Sequence, residues 1–175
     1  MPDRALSNWL FGKLPAHGDF VARGIDAPTR DALDLWLTAE MERGQAVWGD
    51  SFAERYEAAP VWHFVDMDAA GCWTGGILCA STDRVGRRFP LMFAAPAVDC
   101  ENAAALSAGC LTFLGQAFAQ GWDADQLANA QVAAEALPWS PTGATWALVG
   151  EDGPLVELME NRPVGVIERM LEMAA

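Results

Sequence analysis

Apolar and polar positions along this chain repeat with a period that switches between two and about three and a half, and the switches mark its elements. From Trp9 to Ile25, "WLFGKLPAHGDFVARGI" alternates short apolar runs with Gly and Pro, which predicts two short strands around a turn at Pro15 to Gly18. Pro28 then opens a helix at the first turn, where a missing N–H costs nothing. Leu33, Trp36, Leu37, Met41, Gly44, Val47 and Trp48 follow at helical spacing, with Asp31, Asp34, Thr38, Glu42 and Gln45 on the opposite side. "SFAERYEAA" predicts a shorter helix before Pro60, and "PVWHFV" a strand rich in β-branched and aromatic residues. "CWTGGILCAST" is apolar or small at odd and even positions alike, as a central strand covered on both faces must be. "RRFPLMFAAP" resumes as a strand after Asp83 to Gly86, which closes a hairpin with Gly86 supplying a positive φ. These two strands are therefore predicted antiparallel neighbours, with Pro90 near a strand start.

Beyond Pro96, the positions Ala103, Leu106, Cys110, Phe113, Leu114, Ala117 and Phe118 mark a second periodic helix. "DADQ" starts a third, with Asp123 and Gln126 at the reciprocal positions of a capping box. "TWALVG" and "PLVEL" supply late strands around the "EDG" turn, and a last helix opens at Pro163 with Val164, Ile167, Met170 and Leu171 on one face. Hairpin-joined strands with helices between and after them predict an α/β (α+β) sandwich, a mainly antiparallel sheet of about five strands flanked by helices. No repeat or low-complexity tract divides residues 1–175, so a single domain is expected, with a motif-bearing part at 9–96 and a helical and late-strand part at 97–175.

At 175 residues, with 52% hydrophobic and 20% charged residues, the chain has the composition of a globular protein with a sizeable core. It holds no apolar run of about 18 residues, and "MPDRALSNWLFGKLP" has no long apolar stretch before a small-residue cleavage site, so a cytoplasmic protein is expected. The four cysteines form no CxxC pair, which predicts free, mostly buried thiols. A net charge of −13 argues against nonspecific binding to nucleic acid or to an anionic membrane. Its distribution is uneven. No Lys or Arg lies between Phe89 and Asn161, whereas Lys13, Arg23, Arg84, Arg87 and Arg88 crowd two short segments. If the fold joins those segments, a basic spot stands on an acidic body.

Candidate chemistry is sparse. His17 and Asp19 fit turn chemistry better than an acid/base pair, since no activated nucleophile accompanies them. His63 lies in an aromatic strand, and no cysteine or histidine has metal-finger spacing, so no metal is expected. Gly12, Gly18 and Gly24 lack the order of a phosphate loop, and neither Ser51 nor Ser81 lies in a GxSxG elbow; no cofactor is expected. Core packing is the expected role of the eight tryptophans, with one or two rings exposed at a partner interface as the alternative. Arg84, Arg87 and Arg88 leave two readings open: a solvated hairpin tip tied to Asp83 or Asp19, or a docking surface whose planar guanidinium forks grip carboxylate or phosphate.

In order, "GKLPAHGDFVARG", "DLWL", "APVWHF" and "GCWTGGILCASTDRVGRRFPL" resemble the bacterial type VI secretion-associated TagF family, also called ImpM. The resemblance covers roughly the first 95 residues and rests on Gly12, Lys13, Leu14, Pro15, Gly18, Asp19, Phe20 and Arg23; Trp36 and Leu37; Pro60, Trp62 and Phe64. Its densest group is Gly75, Ser81, Asp83, Arg84, Val85, Gly86, Arg87, Phe89, Pro90 and Leu91. Leu33 stands where the family usually has a second Trp, and Ala80 where it has a Pro. The resemblance implies a post-translational repressor of secretion assembly, not an enzyme, that associates with the forkhead-associated scaffold protein of the system. It also implies a longin- or profilin-like sandwich. Partner-binding candidates are Lys13, Asp19, Arg23, Ser81, Asp83, Arg84 and Arg87. The alternatives are a hydrolase or phosphoryl-transfer enzyme using His17, Asp19 and the arginines on an anionic substrate, and, by fold analogy, a platform for a small GTPase.

Overall fold

The structure, a computed structural model, describes residues 7–174. Residues 1–6, the start of the segment read as lacking an export signal, lie outside the described residues. Seven strands form one sheet: β1 (Trp9–Lys13), β2 (Phe20–Arg23), β3 (Trp62–Met67), β4 (Trp73–Cys79), β5 (Leu91–Ala97), β6 (Thr145–Gly150) and β7 (Gly153–Leu158). Their order is β2-β1-β5-β4-β3-β6-β7, and every pairing is antiparallel. The expected α/β class and antiparallel sheet hold, but the described residues form seven strands, not about five. Both late strands join the sheet, β6 pairing with β3 and β7 with β6, so the first and second halves of the chain share one sheet.

Helices cover both faces: α1 (Ala27–Trp48), α2 (Phe52–Glu57), α3 (Cys100–Gln120), α4 (Ala124–Ala128) and α5 (Val166–Glu172). Strand residues alternate between two cores, as the period of two requires. Phe11, Phe64, Leu78, Met92, Trp146 and Leu148 pack with Leu33, Leu37 and Met41 of α1 and with Ile167 and Met170 of α5. Their neighbours Leu10, Ile77, Leu91 and Phe93 face Leu106, Cys110 and Leu114 of α3 and Leu127 of α4. Gly75 is what lets α3 lie so close. A Cβ at that position would run into the carbonyl of Ala103.

The termini of the helices follow the local signals. The Asp26 carboxylate accepts from Thr29 N–H at 2.9 Å to cap α1, and Asp123 and Gln126 form the predicted capping box of α4. The last helix departs from expectation: it begins at Val166, not Pro163, and Val164 is exposed. Long-range bonds fix residues 163–166 instead, with Trp36 Nε1 donating to Pro163 O, Gly165 N–H to the buried Glu40 carboxylate and Trp62 Nε1 to Val166 O. Val47 and Phe118, expected on apolar faces, are likewise exposed. Cys79 and Cys110 are free and buried, Cys72 and Cys100 free and half-buried; burial pushes the Cys79 thiol up to about 12. Among the described residues no helix is long and apolar enough to cross a membrane.

Candidate functional site

The two arginine-bearing segments meet at one end of the sheet, because β1 pairs with both β2 and β5 and so sets the β1–β2 loop beside the β4–β5 loop. Within the second loop, "DRVGR" closes a turn. Asp83 N–H donates to Arg87 O at 3.1 Å and Gly86 N–H to Asp83 O at 3.0 Å, with Gly86 at φ +85°. The Asp83 carboxylate faces inward and its side chain is fully buried. One oxygen, Oδ1, accepts from Val85 N–H and Arg87 N–H at 3.1 and 3.0 Å. The other, Oδ2, takes Arg87 Nε at 2.7 Å and Lys13 Nζ at 3.0 Å. Burial pushes this carboxyl up, but the Arg87 N–H, Lys13, the Arg87 guanidinium and the Val85 N–H outweigh it and hold it below the usual carboxylate range.

Two cations thus share one buried carboxylate, which leaves positive charge over. Lys13 is only 7% exposed and also lies 5.1 Å from the centroid of the Phe20 ring. The remaining donors of the arginines stitch the loops together. Arg84 N–H binds His17 O at 2.8 Å, Arg84 Nη2 binds Ala16 O, and Arg87 Nη2 binds Gly18 O at 2.8 Å. Ser81 lies beneath: its Oγ donates to Lys13 O at 2.7 Å, while Tyr56 Oη donates to Ser81 O and accepts from Ser81 N–H, both at 3.0 Å. Arg88 leaves the group to pair with Glu57 at 2.7 Å.

The structure therefore brings Lys13, Ser81, Asp83, Arg84 and Arg87 together and separates two other candidates. Arg23 lies at the opposite end of β2, since Lys13 pairs with Phe20 and Leu10 with Arg23; its partner is Asp125 of α4 at 2.7 Å. Three strand residues at about 3.3 Å each put it roughly 10 Å along the edge. Asp19 is exposed and accepts from Phe20 N–H, a local turn contact with no arginine. His17 turns its Nε2 to Ala124 N–H of α4 at 3.0 Å.

What projects from this apex is Arg84, Val85 and the outer edge of Phe20. Among the described residues no carboxylate pairs with Arg84, Val85 is 72% exposed, and Phe20 is 47% exposed although its ring packs edge-on against Phe89 at 4.8 Å. Phe20 and Val85 lay inside the recognised motifs, yet charge-based reasoning passed over them; their signal was two apolar side chains beside turn residues. None of the tryptophans is exposed, as core packing requires: Trp62, Trp139 and Trp146 are buried and the rest half-buried, and the exposed ring at the apex is Phe20.

Fold and apex together define a class, a three-layer antiparallel α/β module that holds a rigid arginine-bearing loop pair at one end of its sheet. The family model of the TagF N-terminal domain, described as type VI secretion system-associated, matches residues 10–137, and this chain belongs to the TagF family. It is a type VI secretion-associated protein. The match extends the likeness from the motif-bearing part through α3 and α4, and stops before β6. None of the curated proteins matches the chain. The crystal structure of PA0076 from Pseudomonas aeruginosa PAO1 is similar in fold, with a TM-score of 0.57 and 22% identity over 94% of both chains.

Proposed function

We propose that this chain is a cytoplasmic, post-translational repressor of type VI secretion assembly that works as a protein-binding module, not as an enzyme. In this reading it holds the forkhead-associated scaffold component away from the growing machine. Family membership supports the setting, and one observation carries the mode of action: Arg84 and Val85 project from a turn that the buried Asp83 carboxylate, Arg87 and Lys13 hold rigid. A cation and an apolar contact fixed in advance lose little entropy on docking, which favours an acidic or phosphorylated surface as the partner. The longin- or profilin-like kinship expected of the family belongs to the same reading, with the sheet serving as scaffold for its end loops.

Lys13, Asp83, Ser81 and most of Arg87 act as the brace in this account, and Arg84 with Val85 and Phe20 as the contact. The hydrolase alternative needs the His17 imidazole free beside the arginines, and its Nε2 lone pair is occupied by Ala124 N–H. The test is secretion by the bacterium that makes this protein. Excess wild-type chain lowers the secreted components of the system in the medium, and an R84E/V85D variant at equal abundance does not. Equal repression by the variant overturns the apex as the contact surface, and no repression by wild type overturns the regulatory reading.

A further inference from the structure

At the end of the sheet remote from the arginine turn, where β1 begins and β3 ends, α1 starts too late to cover the sheet face, and a groove of about 920 Å³ opens. Trp9, Ile25 and Pro96 form apolar walls, Thr74 and Thr29 lie between them, and Trp73 stands at the margin. Strand alternation puts Trp9, Asp66, Thr74 and Pro96 on one face: Asp66 pairs with Thr74, and Thr74 with Pro96. Among the described residues, the ionisable side chains lining the groove are carboxylates, apart from the thiol of Cys72. Asp26 caps α1, and Asp68 Oδ1 is engaged by Ala70 and Cys72 N–H in the β3–β4 turn. Asp66 differs. It is half-buried, it accepts from the N–H of its own neighbour Met67 at 2.9 Å, and Arg162 is the cation within electrostatic reach. Burial raises its carboxyl above the usual range, the Met67 N–H and Arg162 pull it down, and Asp68 pushes it up again.

A half-buried carboxylate lining an apolar-walled groove is matched by a cation carried on an apolar stem. Arginine and lysine side chains have that form, burying their methylenes while presenting charge at the tip. We infer that this groove is a second docking site, which takes an arginine- or lysine-bearing apolar segment of a partner protein and seats its cation on Asp66. The charge of the two ends then differs in sense: the apex offers cations to an acidic partner surface, and the groove offers carboxylates to a basic one. The inference stands independently of the apex.

The probe is an acetylated hexapeptide of alternating Arg and Leu, with the matching Glu and Leu peptide as its opposite, titrated calorimetrically and mapped by amide chemical shifts. The basic peptide binds at least about tenfold more tightly than the acidic one, and shifts cluster at Trp9, Ile25, Thr29, Asp66 and Thr74. Asp66→Asn weakens binding about tenfold, whereas Asp34→Asn, a carboxylate on the exposed side of α1, leaves it unchanged. A filled groove, Thr74→Arg, abolishes binding while near-UV circular dichroism shows a native fold. Equal loss in both Asn variants, or shifts spread over the acidic surface, marks nonspecific attraction and overturns the inference. So does an affinity that rises more than tenfold on deleting residues 1–6, because the chain's own first residues then compete for the groove.

Discussion

His63 makes the stability of this protein depend on pH in a window of its own. It sits on β3, 4% exposed, between the sheet and α3, with Nδ1 2.9 Å from Ser107 Oγ. That hydroxyl donates its one proton to Ala104 O at 2.7 Å, so the imidazole carries its proton on Nδ1 and donates to Oγ. Burial pushes the imidazole down from 6.5 to about 4, because the interior disfavours the second proton and its charge. The folded-state value is the lower one. Between pH 6.5 and 4 the unfolded chain therefore takes up a proton that the folded chain refuses, and stability falls as pH falls. The gap between 6.5 and 4 corresponds to about 3.5 kcal/mol in full at about 1.4 kcal/mol per pH unit, of which about 3 kcal/mol is lost by pH 4, where the folded imidazole is half-protonated. With a urea m-value of about 2 kcal/mol/M, the unfolding midpoint drops by about 1.5 M over this window from His63 alone. Carboxylates titrate nearby, so the assay is urea unfolding at pH 7, 5.5 and 4 for wild type and His63→Gln, whose amide keeps a donor for Ser107. The midpoints converge towards pH 4. Parallel falls in both proteins, or an imidazole titrating near 6.5 by NMR, refute the reasoning.

Other predictions concern the apex and the sheet. Tyr56→Phe strands the buried Ser81 N–H, while Ser81 O keeps the bond from Phe89 N–H, and costs about 1–3 kcal/mol in urea unfolding; an unchanged midpoint would deny the tyrosine its bracing role. Gly75→Ala forces α3 off β4 at the Ala103 carbonyl and costs at least about 1 kcal/mol, with amide exchange quickening first in β4; wild-type stability would mean the two elements are not in such close contact. Asp83, held below the usual carboxylate range, contributes stability that is complete above about pH 4 and is lost as pH falls through its folded-state value. Asp83→Asn accordingly flattens the acid limb of the stability curve and speeds exchange of the Val85 and Arg87 amides; an acid limb as steep as that of wild type would contradict this.

Much of this fold was legible because its signals are local. Helical spacing at Leu33, Leu37 and Met41, the Asp123–Gln126 capping box and the glycine in the Asp83 turn each act within a few residues, and each stands where it was expected. The two-faced apolar pattern of β4 was equally readable, since Ile77 and Leu78 enter opposite cores. What escaped the sequence depends on distant partners. The start of α5 is set by Glu40, 125 residues away, and the fate of His17 by Ala124, 107 residues away. Arg23 looked like part of the basic spot because it is near Lys13 in sequence, but antiparallel register carries it along the edge towards Asp125. The arginine turn was visible as charge; that Asp83 lies inside it, spending Lys13 and Arg87 on rigidity and leaving Arg84 in excess, is tertiary information.

The most direct measurement is calorimetric titration of the purified chain against the purified forkhead-associated scaffold protein of the same secretion system, with wild type and R84E/V85D compared. Wild type binds, and the variant, unchanged in melting temperature, loses at least about tenfold in affinity, as removal of a central arginine and its apolar neighbour does at docking surfaces. Equal affinity in the two proteins, or no binding by wild type, contradicts the account.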